Sequence, residues 1–308
     1  TVVDAINDNN VLPFRIDYVN TIKNHKLVED SEVYAIDQEK ALLDPNRIKE
    51  IVSYILTHFN QKTKKSSVYS FMVKSEKEIN KKRIEQLEEK KLNGFNSIFA
   101  VASIPMAIKY YAQLKKQIEE QDRGLKIAMI YSFSPNEEEA EGILEDEDLE
   151  TQLLDPSYRD FLALAIKDYN GYFNTFFDTS ADKFQNYYKD LSLRVKNKEI
   201  DILIVVNMFL TGFDATTLNT LWVDKNLKLH GLMQAFSRTN RILNSVKTFG
   251  NIVCFRDLRE ATDKAIALFG NKDAGGIVLL RTYEEYYNGY EYQGKYQLGY
   301  KDLIQKLN

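Results

Sequence analysis

The chain has 308 residues, 44% of them hydrophobic and 28% charged, with a formal net charge of −4. This composition is ordinary for folded domains and excludes disorder, collagen or a disulfide scaffold as the overall answer. A negative balance also means that any nucleic-acid contact must come from a local patch or from backbone amides.

The sequence opens at Thr1 without a methionine and reads as a piece of a longer chain. Thr1–Asn10 carries two aspartates and no basic residue ahead of an apolar stretch, so no secretory signal is expected. Residues 1–44 are weakly periodic and suit a connecting arm. Asp44-Pro45 then opens a helix, with Asp as N-cap and Pro at its first position. Ile48, Ile51, Val52, Ile55 and Phe59 follow at helical spacing, and the basic break Lys62–Lys65 ends the run. Lys74–Lys91 alternates in charge and reads as a solvated helix or hairpin.

From Ser97 onward the pattern becomes regular. Ile98–Val101 is a short apolar strand, and Ser103-Ile104-Pro105 starts a helix running to about Glu120. Lys126–Tyr131 is the next strand. In 136–150, nine of fifteen residues are acidic; the Asp146-Glu147-Asp148 triplet there follows no apolar strand and reads as a solvated loop. Helices are expected over about 157–170 and 181–198, the second with Phe184, Tyr187, Tyr188, Leu191 and Val195 as a core stripe. Ile202–Val206 is apolar throughout, as expected of a strand covered on both faces. The apolar run that contains it, Ile202–Leu210, is broken by Asn207 and falls far short of the roughly 20 residues a membrane helix needs.

Leu218–Val223 is a further strand, followed by a helix from about His230 to Leu243, a strand Asn251–Phe255 and a helix Leu258–Phe269. The lone Cys254 excludes an internal disulfide; a cytoplasmic location with no membrane partner is expected. Alternating strands and helices predict an α/β fold, a parallel sheet with helices on both faces over 45–270. Residues 271–308 change character: Tyr283–Tyr300 holds seven tyrosines in eighteen residues. Packing against a neighbouring domain suits them better than base stacking, because few cations lie among the rings.

No complete catalytic apparatus is visible. Gly289-Tyr-Glu-Tyr-Gln-Gly294-Lys295-Tyr296 resembles a phosphate loop only by spacing. It lacks the Ser or Thr that would hold magnesium, and no strand runs directly into it. The three histidines are scattered, so no metal centre is expected.

The informative stretch is Gln234-Ala-Phe-Ser237-Arg238-Thr-Asn-Arg241. On a continuous helix Gln234, Arg238 and Arg241 would project within an arc of about 60°, with Leu232, Phe236 and Leu243 opposite. Guanidinium groups suit phosphate because they stay charged and donate paired hydrogen bonds. Alone, two surface arginines in ordinary ion pairs would explain this stretch as well. Upstream, a buried strand ends in Leu210-Thr211-Gly212-Phe213-Asp214, where Gly allows a tight turn, Thr211 offers a hydroxyl and Asp214 could orient an arginine. Ser103 begins a helix whose free amides suit another phosphate.

Taken in order, these elements resemble motifs IV, V and VI of the second RecA-like lobe of a superfamily 2 helicase. The runs Val205–Ala215, Val223-Asp-Lys-Asn-Leu227 and Gln234–Arg241 are similar, more closely, to the motor (R) subunit of type I restriction-modification enzymes. Val3-Asp-Ala-Ile-Asn-Asp, Val11-Leu-Pro-Phe14 and Phe184-Gln-Asn-Tyr-Tyr-Lys189 fit that subunit too. The resemblance implies a fragment of an ATP-dependent DNA translocase and restriction subunit, inactive alone. ATP and Mg2+ would be bound mainly by a first lobe outside this sequence. Arg238 and Arg241 would reach the γ-phosphate, with Gln234 and Asp214 also on the nucleotide side. Ser103, Thr211 and Gly212 would hold the DNA backbone, and the implied partners are double-stranded DNA and the methylation and specificity subunits. Ser237 stands where the general pattern has Gly, and motif V lacks the usual Arg-Gly before its acid. Another superfamily 2 helicase or remodeller, or a non-catalytic RecA-like binding module, is the alternative.

Overall fold

A computed structural model describes residues 2–19, 21, 40–79, 82–131, 154–243, 246–269, 278–280, 283–292 and 295–307. The chain begins with helix α1 (Val2–Asn7) and strand β1 (Phe14–Tyr18), then α2 (Pro45–Thr63). A two-stranded antiparallel ribbon follows, β2 (Val68–Ile79) and β3 (Lys82–Asn93). Next come β4 (Asn96–Val101), α3 (Ile104–Glu120), β5 (Ile127–Ile130), α4 (Pro156–Phe173), α5 (Ala181–Lys196) and β6 (Ile202–Val205). The chain continues through β7 (Leu218–Asp224), α6 (Leu229–Phe236), β8 (Gly250–Cys254) and α7 (Arg259–Phe269). It ends with α8 (Tyr283–Asn288), the small hairpin β9 (Tyr290–Tyr292) and β10 (Lys295–Gln297), and α9 (Tyr300–Leu307).

Six strands form one sheet in the order β1-β8-β7-β4-β6-β5, and every pairing in it is parallel. Strands β4 to β8 are buried along their whole lengths, which requires cover on both faces and explains the apolar run in each, Ile98–Val101, Ile127–Ile130, Ile202–Val205, Leu221–Val223 and Ile252–Cys254. This is the α/β architecture expected from the sequence. Caps fix the helices that flank it. Asp44 accepts from the amides of Asn46 and Arg47, and Ser103 from that of Met106, each with proline in the first turn that follows. Lys64, in the left-handed region at φ 51°, closes α2.

Two expectations change, and one open alternative is decided. Phe14–Tyr18, read as part of an arm, is the edge strand β1, paired with β8. The alternating charges of Lys74–Lys91 belong to a hairpin rather than a helix, and its base is held by a small cluster of Tyr69, Phe71, Leu92, Phe95, Leu243 and Val246. The helix expected over 230–243 stops at Phe236. Beyond it the amides of Arg238 and Thr239 bond back only three residues, to Ala235 and Phe236, and Thr239 Oγ1 takes the Phe236 carbonyl as well. The carbonyl of Asn240 then accepts from the amide of Leu12. These partners replace the helical ladder, so Arg241 and Leu243 stand on irregular backbone.

The acidic stretch 136–150 lies outside the described residues. The phosphate-loop look-alike falls across the β9–β10 hairpin and is entered from helix α8, not from a strand. No described helix is long and apolar enough to cross a membrane.

Candidate functional site

The connections decide where a site can form. From β4 the chain crosses to β5 at one edge of the sheet, whereas from β6, the neighbour of β4, it crosses to β7 on the other side. Adjacent strands whose connections leave in opposite directions open a crevice at their carboxyl ends. The register Ala100↔Val205 brings those two ends side by side. Ser103 follows one of them as the N-cap of α3, and the connection carrying Thr211 and Gly212 follows the other.

That connection, 206–217, contains no helix. It descends from the carboxyl end of β6 to the start of β7, so one segment runs between the two edges of the sheet. Its path is held from inside. Phe209 adopts φ 65° although it carries a large side chain, a conformation that costs about 1–2 kcal/mol. Its buried ring packs against Tyr188 and Phe213 at 5.1 and 4.7 Å, which offsets the strain. Gly212 takes φ 62° in open space, so its need for glycine is conformational rather than steric. At the upper end Lys225, just past β7, donates to Asn207 Oδ1.

Phe213 and Asp214 meet the segment after α6. Arg238 Nε donates to the Gln234 carbonyl at 3.1 Å, and its Nη1 to the carbonyl of Phe213. Arg241 Nε lies 3.0 Å from Asp214 Oδ1, with the side chains 38% and 62% exposed. This contact is an ion pair by distance only: Nε is buried and makes no aligned hydrogen bond. Gln234 Oε1 and Asn240 Oδ1 are also buried without a hydrogen-bond partner. Two of these three atoms are acceptors, which an anion cannot complete; the partly exposed Arg241 guanidinium is the donor that an anion would meet.

The segment carrying the arginines is fastened at the amino-terminal edge of β1 and β8. Leu12 holds Asn240, as noted, while the Gly250 amide donates to the Pro13 carbonyl. A Cβ on Gly250 would stand 2.2 Å from Thr239 Oγ1 and 3.0 Å from the Thr239 backbone. The close approach therefore excludes any other residue without movement.

Of the residues singled out from the sequence, the fold joins Asp214 to Arg241 and ties Arg238 to Phe213 and Gln234. It keeps Ser103 apart from them, at the opposite edge of the sheet, with the Thr211–Gly212 turn between. Sequence reasoning missed a second charged group. Asp224, the last residue of β7 and fully buried, accepts from Arg47 Nη1 and Nη2, Arg256 Nε and the Tyr110 hydroxyl, at 2.6–2.8 Å. Burial alone would raise its pKa; Arg47 and Arg256 outweigh it and hold the carboxyl below its ordinary value. An acid directly after the apolar run Leu221-Trp-Val223 was the one available signal.

Chemically, the arginine surface suits an anionic group with several acceptors, and a nucleotide phosphate fits that description. Magnesium does not fit as well. Asp214 is turned to Arg241, and no group of three His, Cys, Asp or Glu among the described residues is placed to hold a metal.

The family model for domain 3 of the type I restriction enzyme subunit R matches residues 93–257. A type I restriction enzyme endonuclease subunit of Staphylococcus aureus strain COL is 39% identical over 288 residues, covering 92% of this chain and 27% of that protein. The middle part of a putative type I restriction enzyme endonuclease subunit of Mycoplasma pneumoniae is 33% identical over 128 residues, 41% of this chain and 87% of that protein. Among solved structures, the DNA-bound ATP-dependent Type ISP restriction-modification enzyme LlaBIII aligns with 82% of this chain and 12% of its own, at 12% identity and TM-score 0.39. The chain thus spans about a quarter of the length of the staphylococcal relative.

Proposed function

Because the chain belongs to the type I restriction enzyme R-subunit family, we propose that it is the second RecA-like lobe of that subunit's ATP-driven DNA motor. The observation that carries this reading is the Asp214–Arg241 pair, which links the β6–β7 connection to an arginine at the surface. In this reading Arg241, backed by Arg238 and Gln234, faces the γ-phosphate of ATP held with Mg2+ mainly on a first lobe. ATP supplies the free energy of phosphoryl transfer to water. A positioned arginine that meets charge developing on a phosphoryl group is worth about 10³–10⁵ in rate.

The residues of this lobe then have separate tasks. Asp214 orients the Arg241 guanidinium while the cleft is open and restrains its rotamer freedom. Arg238 holds the display by gripping the Phe213 and Gln234 carbonyls. Ser103, Thr211 and Gly212 contact the phosphate backbone of double-stranded DNA without reading bases, as a motor that moves along any sequence requires. The 206–217 connection joins the two tasks, since it reaches the DNA end of the sheet at β6 and the arginine end at β7. Whole complexes would add methylation and specificity subunits, and the fragment alone would hydrolyse no ATP.

The test is DNA-stimulated ATP hydrolysis by the full-length subunit, wild type beside Arg241→Ala. A loss of a hundredfold or more, on the order expected for such an arginine, supports the reading. Undiminished turnover in the variant would sink it.

A further inference from the structure

Lys247 is buried to 2% exposure in the segment that leads from Arg241 to β8. Its ammonium donates to the carbonyl of Leu218 at 2.5 Å and lies 3.5 Å from that of Thr216. Both acceptors are main-chain groups at the lower end of the 206–217 connection, within four residues of Asp214. Among the described residues no carboxylate is bonded to this buried cation; its charged neighbours there are Arg241, which repels it, and Asp214, which attracts it. Burial and Arg241 together push its pKa down to about 7. A buried ammonium satisfied only by carbonyls is costly for folding, and a methionine of the same reach would fill the space without that cost. Its placement does serve alignment, because it fastens the Asp214 segment to the Arg241 segment from behind.

Resting on the proposed function, we infer that Lys247 is a positioning residue for the arginine site. It holds the end of the β6–β7 connection against the Arg241 segment, so that Asp214 and Arg241 stay in register. Lys247 touches neither nucleotide nor DNA in this account; it acts through Arg241. Loss of its anchor should leave ATP binding intact and misplace the arginine when charge develops, and a displacement of about 1 Å can cost on the order of a hundredfold.

The experiment is steady-state ATP hydrolysis, with saturating DNA, by the full-length subunit carrying Lys247→Met, with melting temperature measured on the same samples. The expected result is a kcat lowered about ten- to hundredfold, a KM for ATP within about twofold of wild type, and a melting temperature that does not fall. A kcat within about twofold of wild type overturns the inference. So does a fall in melting temperature that accompanies matched changes in kcat and KM, which marks a merely structural lysine. Should Lys247→Met fail to fold, Lys247→Leu, which likewise removes the donor, is judged by the same criteria. Arg241→Ala run alongside keeps the two ideas separable. Normal turnover there sinks the motor reading, whereas a slow Arg241→Ala beside a fast Lys247→Met sinks only the role given to Lys247.

Discussion

The guanidinium of Arg47 closes on both carboxylate oxygens of Asp224, at 2.8 and 2.6 Å. One residue opens α2 and the other ends β7, so this bond fastens the helix to the middle of the sheet. Arg256 and Tyr110 complete the group from the end of β8 and from α3. Removing a partner from such a buried set leaves charge without compensation. Asp224→Asn is expected to destabilise the domain by about 3–5 kcal/mol, read by chemical denaturation. The carboxyl titrates below its unfolded value, so its contribution is present above the unfolded pKa and lost as pH falls through the folded one.

Lys247 predicts the reverse of an ordinary surface lysine. Its folded pKa is about 7 and the ordinary lysine value 10.5, so the unfolded chain binds more protons between those limits. Stability should therefore rise as pH increases from about 7 towards 10, by a few kcal/mol from this group. Melting curves at several pH values would show this slope in wild type and a flatter one in Lys247→Met. Equal slopes in the two proteins would contradict the assignment.

Gly250→Ala places a methyl group where Thr239 already stands. The expected cost is about 1–3 kcal/mol of stability, typical of overpacking in a tight contact. Because Thr239 lies between Arg238 and Arg241, ATP turnover should fall in this variant as well. Paired measurement of melting temperature and ATPase rate checks both parts.

Cys254 is buried completely at the end of β8, between β1 and β7, and burial followed by the nearby Asp17 pushes its thiol pKa far up. Thiol-directed reagents should leave it unmodified in the folded protein and react once denaturant is added. Rapid labelling under native conditions would show that β8 opens.

The strands β4 to β8 were legible because each contains an apolar run of three or more residues, as strands covered on both faces do. Asp44-Pro45 and Ser103-Ile104-Pro105 were equally clear, since cap and proline act within a few residues of sequence. Most of what escaped depends on distant partners. Nothing in Ser237-Arg-Thr-Asn marks a helix end; the Leu12 amide and the crowding of Gly250 on Thr239 are what favour the irregular path. Phe14-Arg-Ile-Asp-Tyr alternates apolar and polar residues as a half-buried edge strand does, a short-range signal that reading 1–44 as an arm passes over. The site divides in the same way. That Asp214 could orient an arginine was read from residue types in order; that its neighbour is Arg241, and what Lys247 and Asp224 touch, came only from the groups folded around them.

The position of β1 has a practical side. A cloning boundary placed at Asp44, where helical spacing begins, would discard the strand that covers β8. Strand β8 would then present an uncovered row of amides and carbonyls, an invitation to pairing between copies and to precipitation. The same cut would remove Leu12 and Pro13, so even soluble material would carry a slackened arginine loop. Expression that begins before residue 11 avoids both faults.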